Sequence, residues 1–91
     1  MTVGYAEDKQ NLLRRLRRVE GQVRGIQRML EEDRYCVDVL IQLAAVRAAL
    51  DKVGLALIED HTRGCVRNAL VNNQGDEAID ELMDVLAQFL K

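Results

Sequence analysis

The sequence contains no proline or tryptophan, and aromatic residues make up only 3% of it. Without proline, every position keeps the backbone N–H that a helix needs, and few side chains favour strands. A chain of 91 residues corresponds to one small domain, which buries only a thin core and often compensates by self-association. We therefore predict an all-α fold in a single domain that spans residues 1–91.

Long apolar runs and an export signal are also missing. The first eleven residues have no apolar core, and four charged side chains interrupt the apolar stretch between residues 37 and 58; both features argue against a signal peptide or a membrane span. With only two cysteines, a disulfide framework is not expected. We expect a cytoplasmic protein with no membrane partner, whose thiols stay reduced.

The net charge is only −2, but the charges are unevenly distributed. Residues 1–28 hold seven basic against three acidic side chains, a net +4, and the remainder hold six against twelve, a net −6. A basic segment on an acidic body indicates an anion-binding surface, for example one for nucleic acid.

Apolar residues recur at helical spacing in three segments. In the first, residues 8–31, they alternate between intervals of four and three, as in a coiled-coil seam. The members of this seam are Leu12, Leu16, Val19, Val23, Ile26 and Leu30. On the opposite side of the same helix lie Arg14, Arg17, Gly21, Arg24, Gly25 and Arg28. Glycine destabilises the middle of a helix by about 1 kcal/mol relative to alanine, so close approach of another group or simple tolerance must account for this pair.

A second, long helix is predicted over residues 34–71, with Asp33 as its N-cap. Gly75 suits a left-handed conformation at the following break, and Asp76 can cap a third helix over residues 76–90. The second helix is apolar on nearly all sides between residues 37 and 58. Such a helix is buried on most sides, and we therefore predict an oligomer with this helix at its centre.

Cys36, His61 and Cys65 form the main chemical signal. His61 and Cys65 are four residues apart and can reach one metal ion. Cys36 precedes His61 by 25 residues, about 37 Å along a helix at roughly 1.5 Å per residue. The three side chains share one helix face but cannot meet within one straight helix. If two such helices pair antiparallel, Cys36 meets His61 and Cys65 of the partner subunit, and symmetry produces two identical sites.

Two thiolates and one imidazole form a soft, three-coordinate donor set. This set suits Cu(I), whereas Zn(II) usually takes a fourth ligand. Taken singly, each of the three residues is more often an ordinary packing residue, since cysteine is among the most buried types. Their shared face and spacing favour the metal site.

The stretch LRRVEGQVRGIQRMLEEDRYC at residues 16–36, together with the Cys36…His61-x-x-x-Cys65 pattern, resembles the copper-sensing CsoR-type repressors of the CsoR/RcnR family. The resemblance covers nearly the whole chain. It implies three helices per chain, a dimer in which the long central helices pair antiparallel, and a dimer of dimers. It also implies a repressor that binds operator DNA in the apo state and is released when Cu(I) binds between subunits.

The same resemblance assigns roles to further residues. Tyr35 and Glu81 match positions that link to the free nitrogen of the histidine beyond the metal. Arg15 and Lys52 match DNA-contact positions, with Arg14 and Arg18 as their neighbours. Without the resemblance, Tyr35 and Glu81 would be ordinary surface residues, and the basic residues a solvated face.

Alternatives remain open at this point. Nickel and cobalt sensors of the family carry extra histidines, and persulfide sensors lack the metal-binding histidine; here His61 is the single histidine. Persulfide or thiol-redox sensing by Cys36 and Cys65 is the first alternative, and a helical adaptor without an effector is the second. An enzyme is not expected, because no acid–base pair or phosphate loop is present. Candidate partners are operator DNA, further copies of the chain and a copper chaperone.

Overall fold

The computed structural model describes residues 4–91, and every regular element in this range is helical. These elements are α1 (Lys9–Glu31), α2 (Cys36–His61), a π-helical turn (Thr62–Val66), α3 (Arg67–Val71) and α4 (Gly75–Phe89). Because α2, the π-helical turn and α3 follow one another without a break, they form one long helical segment. The all-α fold with three helical segments is therefore confirmed, whereas the dimer and the dimer of dimers stay predictions.

The chain divides into two compact units. We call residues 7–56 the hairpin unit, and residues 57–91 together with residues 4–6 the C-terminal unit. Residues 1–3 lie outside the described range, and the single domain over residues 1–91 stays a prediction. Among residues 4–91, none of the helices combines the length and the hydropathy that a membrane span requires.

Apolar side chains that repeat every seven residues hold the hairpin unit together. The buried members are Leu12, Val19 and Ile26 in α1 and Val39, Val46 and Val53 in α2. Four of them form one cluster, with Met29 and Ala49 packed against it. A seven-residue spacing returns a side chain to the same stripe of a helix after two turns, so two such stripes can pack along their length.

The other half of the predicted α1 seam is not part of this core. Leu16 and Val23 are 39% and 38% exposed, and Leu30 is 61% exposed. These three residues also repeat every seven positions, and they form a second apolar stripe beside the buried one. The chain alone does not cover this stripe, which is the pattern expected of a helix that packs against another subunit.

The predicted start of the second helix at Arg34, with Asp33 as N-cap, is wrong. α2 begins at Cys36, and the Tyr35 carbonyl accepts the first helical hydrogen bond, from the Val39 N–H at 3.3 Å.

Asp33 instead ends α1, because its φ of 54° is left-handed. The Asp33 N–H donates to the Leu30 carbonyl and the Arg34 N–H to the Met29 carbonyl, which is the Schellman pattern of a helix C-terminus.

A second Schellman turn ends α3, and it also corrects a prediction. The left-handed residue is Asn73, with φ 62°, and not Gly75; the Gln74 N–H donates to the Ala69 carbonyl at 2.7 Å. Asp76 does not cap α4 but lies in its first turn, where a carboxylate interacts favourably with the helix dipole.

Gly75 is required for a different reason. It is the buried first residue of α4, and a Cβ atom there would overlap with Cδ2 of Leu70. The missing side chain therefore lets α4 pack closely against α3. This contact places the rest of α4, including Glu81, within the C-terminal unit.

Candidate functional site

His61 and Cys65 lie where the long helical segment changes its winding. His61 ends α2, and Cys65 belongs to the π-helical turn Thr62–Val66. The Thr62 hydroxyl donates a 2.8 Å hydrogen bond to the Ile58 carbonyl; such back-bonding weakens regular α-helical pairing and bends helices. The sequence predicted an uninterrupted α-helix here, although Thr62 and Gly64 were available as signals of the irregular turn.

The π-helical turn affects how the two side chains project. Residues four apart in an α-helix are offset by about 40° around the axis, and the wider winding of a π-helical turn takes up part of that offset. His61 and Cys65 are both half-buried. They can therefore present a nitrogen and a sulfur to one ion from a partly desolvated position.

His61 also lines a cavity of about 290 Å³ in the C-terminal unit. The cavity is lined by Tyr5, Leu57, Ile58, His61, Glu81, Leu82 and Val85. Most of these walls are apolar, so an interaction between the imidazole and the Glu81 carboxylate would be less screened here than in bulk water. The structure thus places Glu81 at the same cavity as His61, while its role beyond the metal stays a prediction.

Tyr5 is a polar side chain of this cavity that was not predicted from the sequence. The preceding Gly4 explains its position: a Cβ atom on Gly4 would lie 2.8 Å from the Asp60 carbonyl oxygen and 3.2 Å from Cα of His61. Glycine therefore allows the N-terminal segment to lie directly against the end of α2. A glycine next to an aromatic residue is only a weak sequence signal, which is why Tyr5 was missed.

Cys36 is the exposed first residue of α2, in the hairpin unit, whereas His61 and Cys65 belong to the C-terminal unit. Tyr35, directly before it, is 68% exposed. Within residues 4–91, no three His, Cys, Asp or Glu side chains are close enough to hold a metal ion in one chain. The three-ligand site shared between subunits, and the role of Tyr35 in it, stay predictions.

Three of the four predicted DNA-contact residues line one groove of the hairpin unit. Arg15, Arg18 and Lys52 surround a space of about 500 Å³ between α1 and α2. The groove is open on the α2 side because the residues that line it there, Ala45, Ala48 and Ala49, are small. Val19 and Gln22 of α1 complete the lining. The fourth predicted residue, Arg14, donates a hydrogen bond to Asn11 Oδ1 at 2.8 Å and does not belong to this lining.

Gln22 also lines this groove and was not among the residues predicted from the sequence. Its Oε1 atom is buried and has no hydrogen-bond partner in the part of the chain that the structure describes. A buried acceptor of this kind usually finds a donor in a bound molecule or in water. A polar residue beside a basic cluster could have been noticed from its helical spacing to Arg15 and Arg18.

A separate apolar surface lies on α2. Leu40 and Leu43, 60% and 46% exposed, line a shallow groove with Ala44 and Ala48. Two charged residues of α2 that are four positions apart, Arg47 and Asp51, complete the lining of this groove. The long central helices are predicted to pair between two subunits, and two exposed leucines on α2 are the kind of apolar surface that such a contact would cover.

Comparison with known proteins identifies the family. A family model for metal-sensitive transcriptional repressors matches residues 8–88. The copper-sensing transcriptional repressor CsoR of Bacillus subtilis (strain 168) is 51% identical over 86 residues, which are 94% of this chain and 85% of that protein.

Solved structures agree with this match. The crystal structure of the copper-sensing repressor CsoR with Cu(I) from Geobacillus thermodenitrificans NG80-2 aligns with a TM-score of 0.90 at 48% identity, over 94% of this chain and 90% of that one. The nickel-responsive transcriptional regulator InrS aligns with a TM-score of 0.76 at 41% identity, over 88% of this chain and 90% of that one. The resemblance stated from residues 16–36 and the Cys36–His61–Cys65 spacing is confirmed, and the chain belongs to the family of metal-sensitive transcriptional repressors.

Proposed function

We propose that this chain is a copper(I)-responsive repressor, which binds operator DNA in the apo state and releases it when Cu(I) binds to Cys36, His61 and Cys65. The observation that carries the proposal is the position of His61: it adjoins the π-helical turn that holds Cys65 and lines the same cavity as Glu81. The similarity to copper-sensing repressors supports the choice of metal. As an operator-binding protein it would act in the cytoplasm, with a copper chaperone as a candidate source of the ion.

The donor set of the chain fits a soft monovalent metal. Both thiols are free, and the only histidine lies four residues before Cys65. Thiolate and imidazole ligands in a three-coordinate arrangement favour Cu(I) over harder or four-coordinate ions. We infer that Cys36 comes from a second subunit, because the helix that separates it from His61 is too long for the two to meet within one chain.

Glu81 offers a route from the metal site to the rest of the repressor. A histidine that ligates a metal usually donates its other N–H to a carboxylate or carbonyl group, which fixes the orientation of the ring. If Glu81 accepts this hydrogen bond, the position of α4 depends on whether His61 holds the ion. Cu(I) then favours a tetramer conformation that binds DNA weakly, and coupling of this kind is typically worth about 1–3 kcal/mol.

The proposal is tested by titrating Cu(I) anaerobically into a complex of the apo protein with labelled duplex DNA selected by that protein. We expect fluorescence anisotropy to fall to the value of free DNA, and Cys36→Ala, His61→Ala and Cys65→Ala to abolish this response. Met83→Ala is the matched control, because Met83 is a sulfur residue on α4 that is 59% exposed. Full DNA affinity in the presence of bound Cu(I) would contradict the proposal.

The shared site is tested by mixing two defective chains. A Cys36→Ala chain and a His61→Ala/Cys65→Ala chain are each unable to build a complete site. When the two are unfolded and refolded together, half of the dimers are mixed, and each mixed dimer holds one intact site if the ligands come from two chains. About a quarter of all sites should then bind Cu(I) tightly. No recovery of tight binding would rule out the shared site.

A persulfide-sensing repressor is the alternative, and the two free cysteines favour it. Thiols from two subunits that lie close together could form an intersubunit disulfide or polysulfide bridge. Mass spectrometry after persulfide treatment, with the DNA-release assay repeated in parallel, distinguishes the two. Release that persists in His61→Ala with persulfide, but not with Cu(I), would support the alternative. A parallel titration of this chain with Ni(II) tests whether nickel also releases it from DNA, as the similarity to the nickel-responsive regulator InrS suggests.

A further inference from the structure

The side of α2 that carries Cys36, which we call the ligand face, holds two charged side chains among its apolar ones. At about 100° per residue, Arg47 lies about 20° and Asp51 about 60° from Cys36 around the helix axis. Both charged residues are exposed, and they line a shallow groove with Leu40 and Leu43. A second subunit that covers this face removes both charges from water, which is costly unless each charge meets an opposite one.

Arg47 and Asp51 do not neutralise each other within the chain. Among residues 4–91, two ion pairs join side chains four residues apart, namely Glu20 with Arg24 and Glu59 with Arg63. Neither Arg47 nor Asp51 takes part in an ion pair of this described range. In both existing pairs the acid precedes the base, which is the favourable order along a helix, whereas Arg47 precedes Asp51. The two charges of the ligand face are therefore available to a second chain.

We propose that Arg47 forms an ion pair with Asp51 of the partner subunit, and that the symmetric pair forms at the same time. These two pairs fix the register in which Cys36 meets the ligands of the partner subunit. Arg47 and Asp51 are thus positioning residues of the shared copper site and not ligands. The inference rests on the proposed function, and it names the side chains that align the two helices.

Two separate spacings agree on one register. In one antiparallel alignment, Cys36 lies midway between His61 and Cys65 of the partner subunit. In that alignment, Arg47 lies only about 1.5 Å along the helix axis from the level of Asp51 of the partner subunit. The twofold axis also keeps both side chains on the same side of the contact, because it relates identical positions of the two helices. The ligands and the charges therefore specify the same alignment.

The apolar residues of the contact cannot specify this register alone. Leu43, Leu50 and Leu57 recur every seven residues, so a slip of seven positions again brings leucine levels together. In one direction, such a slip places the two Arg47 side chains within about 3 Å of the same level. In the other direction, it separates Arg47 from Asp51 of the partner subunit by about 12 Å along the axis.

A parallel pair is also unfavourable, because each Arg47 would then face Arg47 of the partner subunit and the aspartates would face each other. Polar or charged residues in an apolar helix seam are known to select orientation and register in this way. Arg47 and Asp51 thus favour the antiparallel alignment that completes the metal site and oppose the alternatives.

Charge reversal in the apo protein tests the pairing without copper or DNA. Arg47→Asp leaves only acidic side chains at the two positions, and Asp51→Arg leaves only basic ones. Each variant should therefore self-associate roughly tenfold more weakly than the wild type, as measured by sedimentation over a dilution series. When the two variants are unfolded and refolded together, every contact between unlike chains joins opposite charges, and the wild-type association should return. Arg17→Asp, an exposed residue of α1, is the control for the change of net charge.

Pairing within one chain is the competing explanation, and a double variant separates the two. Arg47→Asp/Asp51→Arg restores opposite charges under either explanation and should assemble like the wild type. Only pairing between chains predicts that the mixture of the two single variants recovers as well, because each single variant carries like charges within its own chain.

The register itself is measured by cross-linking Cys36 to Cys65 of the partner subunit with a short bismaleimide in the apo protein. Mass spectrometry identifies the linked cysteines. At a concentration that keeps the single variants dimeric, the yield of this cross-link should fall in each of them and return in the mixture. An unchanged yield in the dimeric single variants would refute the role of the charges in the register.

The remaining outcomes separate this inference from the proposed function. If the wild-type apo protein stays monomeric at all concentrations, the shared copper site fails, and the inference fails with it. If the wild type binds Cu(I) between subunits while the single variants associate and cross-link equally well, only the role of Arg47 and Asp51 is refuted. A mixture that does not recover while the double variant assembles would assign the pair to one chain, and loss of assembly in the double variant would likewise refute the contact.

Discussion

Gly75→Ala is expected to destabilise the protein, although helix propensity alone predicts the opposite. The residue begins α4, and the new Cβ would overlap with Cδ2 of Leu70 and lie 3.1 Å from its Cγ and 3.3 Å from its Cα. Leu70 is 55% exposed, so its Cδ2 atom can rotate away. The Cα atom of Leu70 belongs to the backbone and cannot rotate away, so α4 must shift to relieve this contact.

The size of the effect follows from two opposing contributions. Replacing glycine by alanine restricts the unfolded chain and favours the helix by about 0.4–1 kcal/mol. Overpacking costs about 1–3 kcal/mol, and the rotation available to Leu70 places this site in the lower part of that range. We expect a net loss of about 1 kcal/mol in the free energy of unfolding.

Urea denaturation followed by circular dichroism, at one fixed protein concentration, measures this loss. Leu70→Ala removes the Cγ and Cδ atoms, so Gly75→Ala should cost less in that background than in the wild type. The double-mutant cycle isolates this contact from general effects on the helix. Equal or greater stability of Gly75→Ala in the wild-type background would refute the close approach of α4 to Leu70.

Ile26→Ala should lower the free energy of unfolding by about 2–4 kcal/mol, because it leaves a cavity in the core. Leu30→Ala should mainly weaken self-association, as measured by sedimentation. Equal losses of stability in the two variants would contradict the separation of the α1 seam into a buried and an exposed stripe. Arg15→Gln and Lys52→Gln should each lower the salt slope of DNA binding by about one, and unchanged slopes would exclude the groove. Thr62→Ala should slow hydrogen exchange around the π-helical turn by removing the hydroxyl that competes for backbone pairing; unchanged exchange would refute that cause.

Helix content, the approximate helix limits and the family could be predicted from the sequence. The absence of proline and the heptad spacing of apolar residues are local properties of the chain, and they specify helices whatever the surroundings. The spacing of Cys36, His61 and Cys65 is equally local, and it was sufficient to exclude a site within one straight helix. The predicted limits of the first and third helices differ from α1 and α4 by one residue at each differing end.

Turn chemistry and packing had to come from the structure. Asp33 and Asn73 take left-handed positions that glycine usually occupies, because Schellman hydrogen bonds to the preceding helix offset the backbone strain. The winding change between His61 and Cys65 coincides with a hydroxyl–carbonyl hydrogen bond of Thr62, which residue spacing does not reveal.

The sequence by itself therefore determined which residue types are available for a soft metal site and for a basic surface, and that they lie on helices. Only the tertiary structure decided that Glu81 shares a cavity with His61, that Arg15, Arg18 and Lys52 line one groove, and that the space at Gly21 and Gly25 is open. The physical reason is that helix formation depends on contacts within a few residues, whereas these features depend on how closely separate helices approach each other. Alanines in α2 and Gly75 at the start of α4 set that approach.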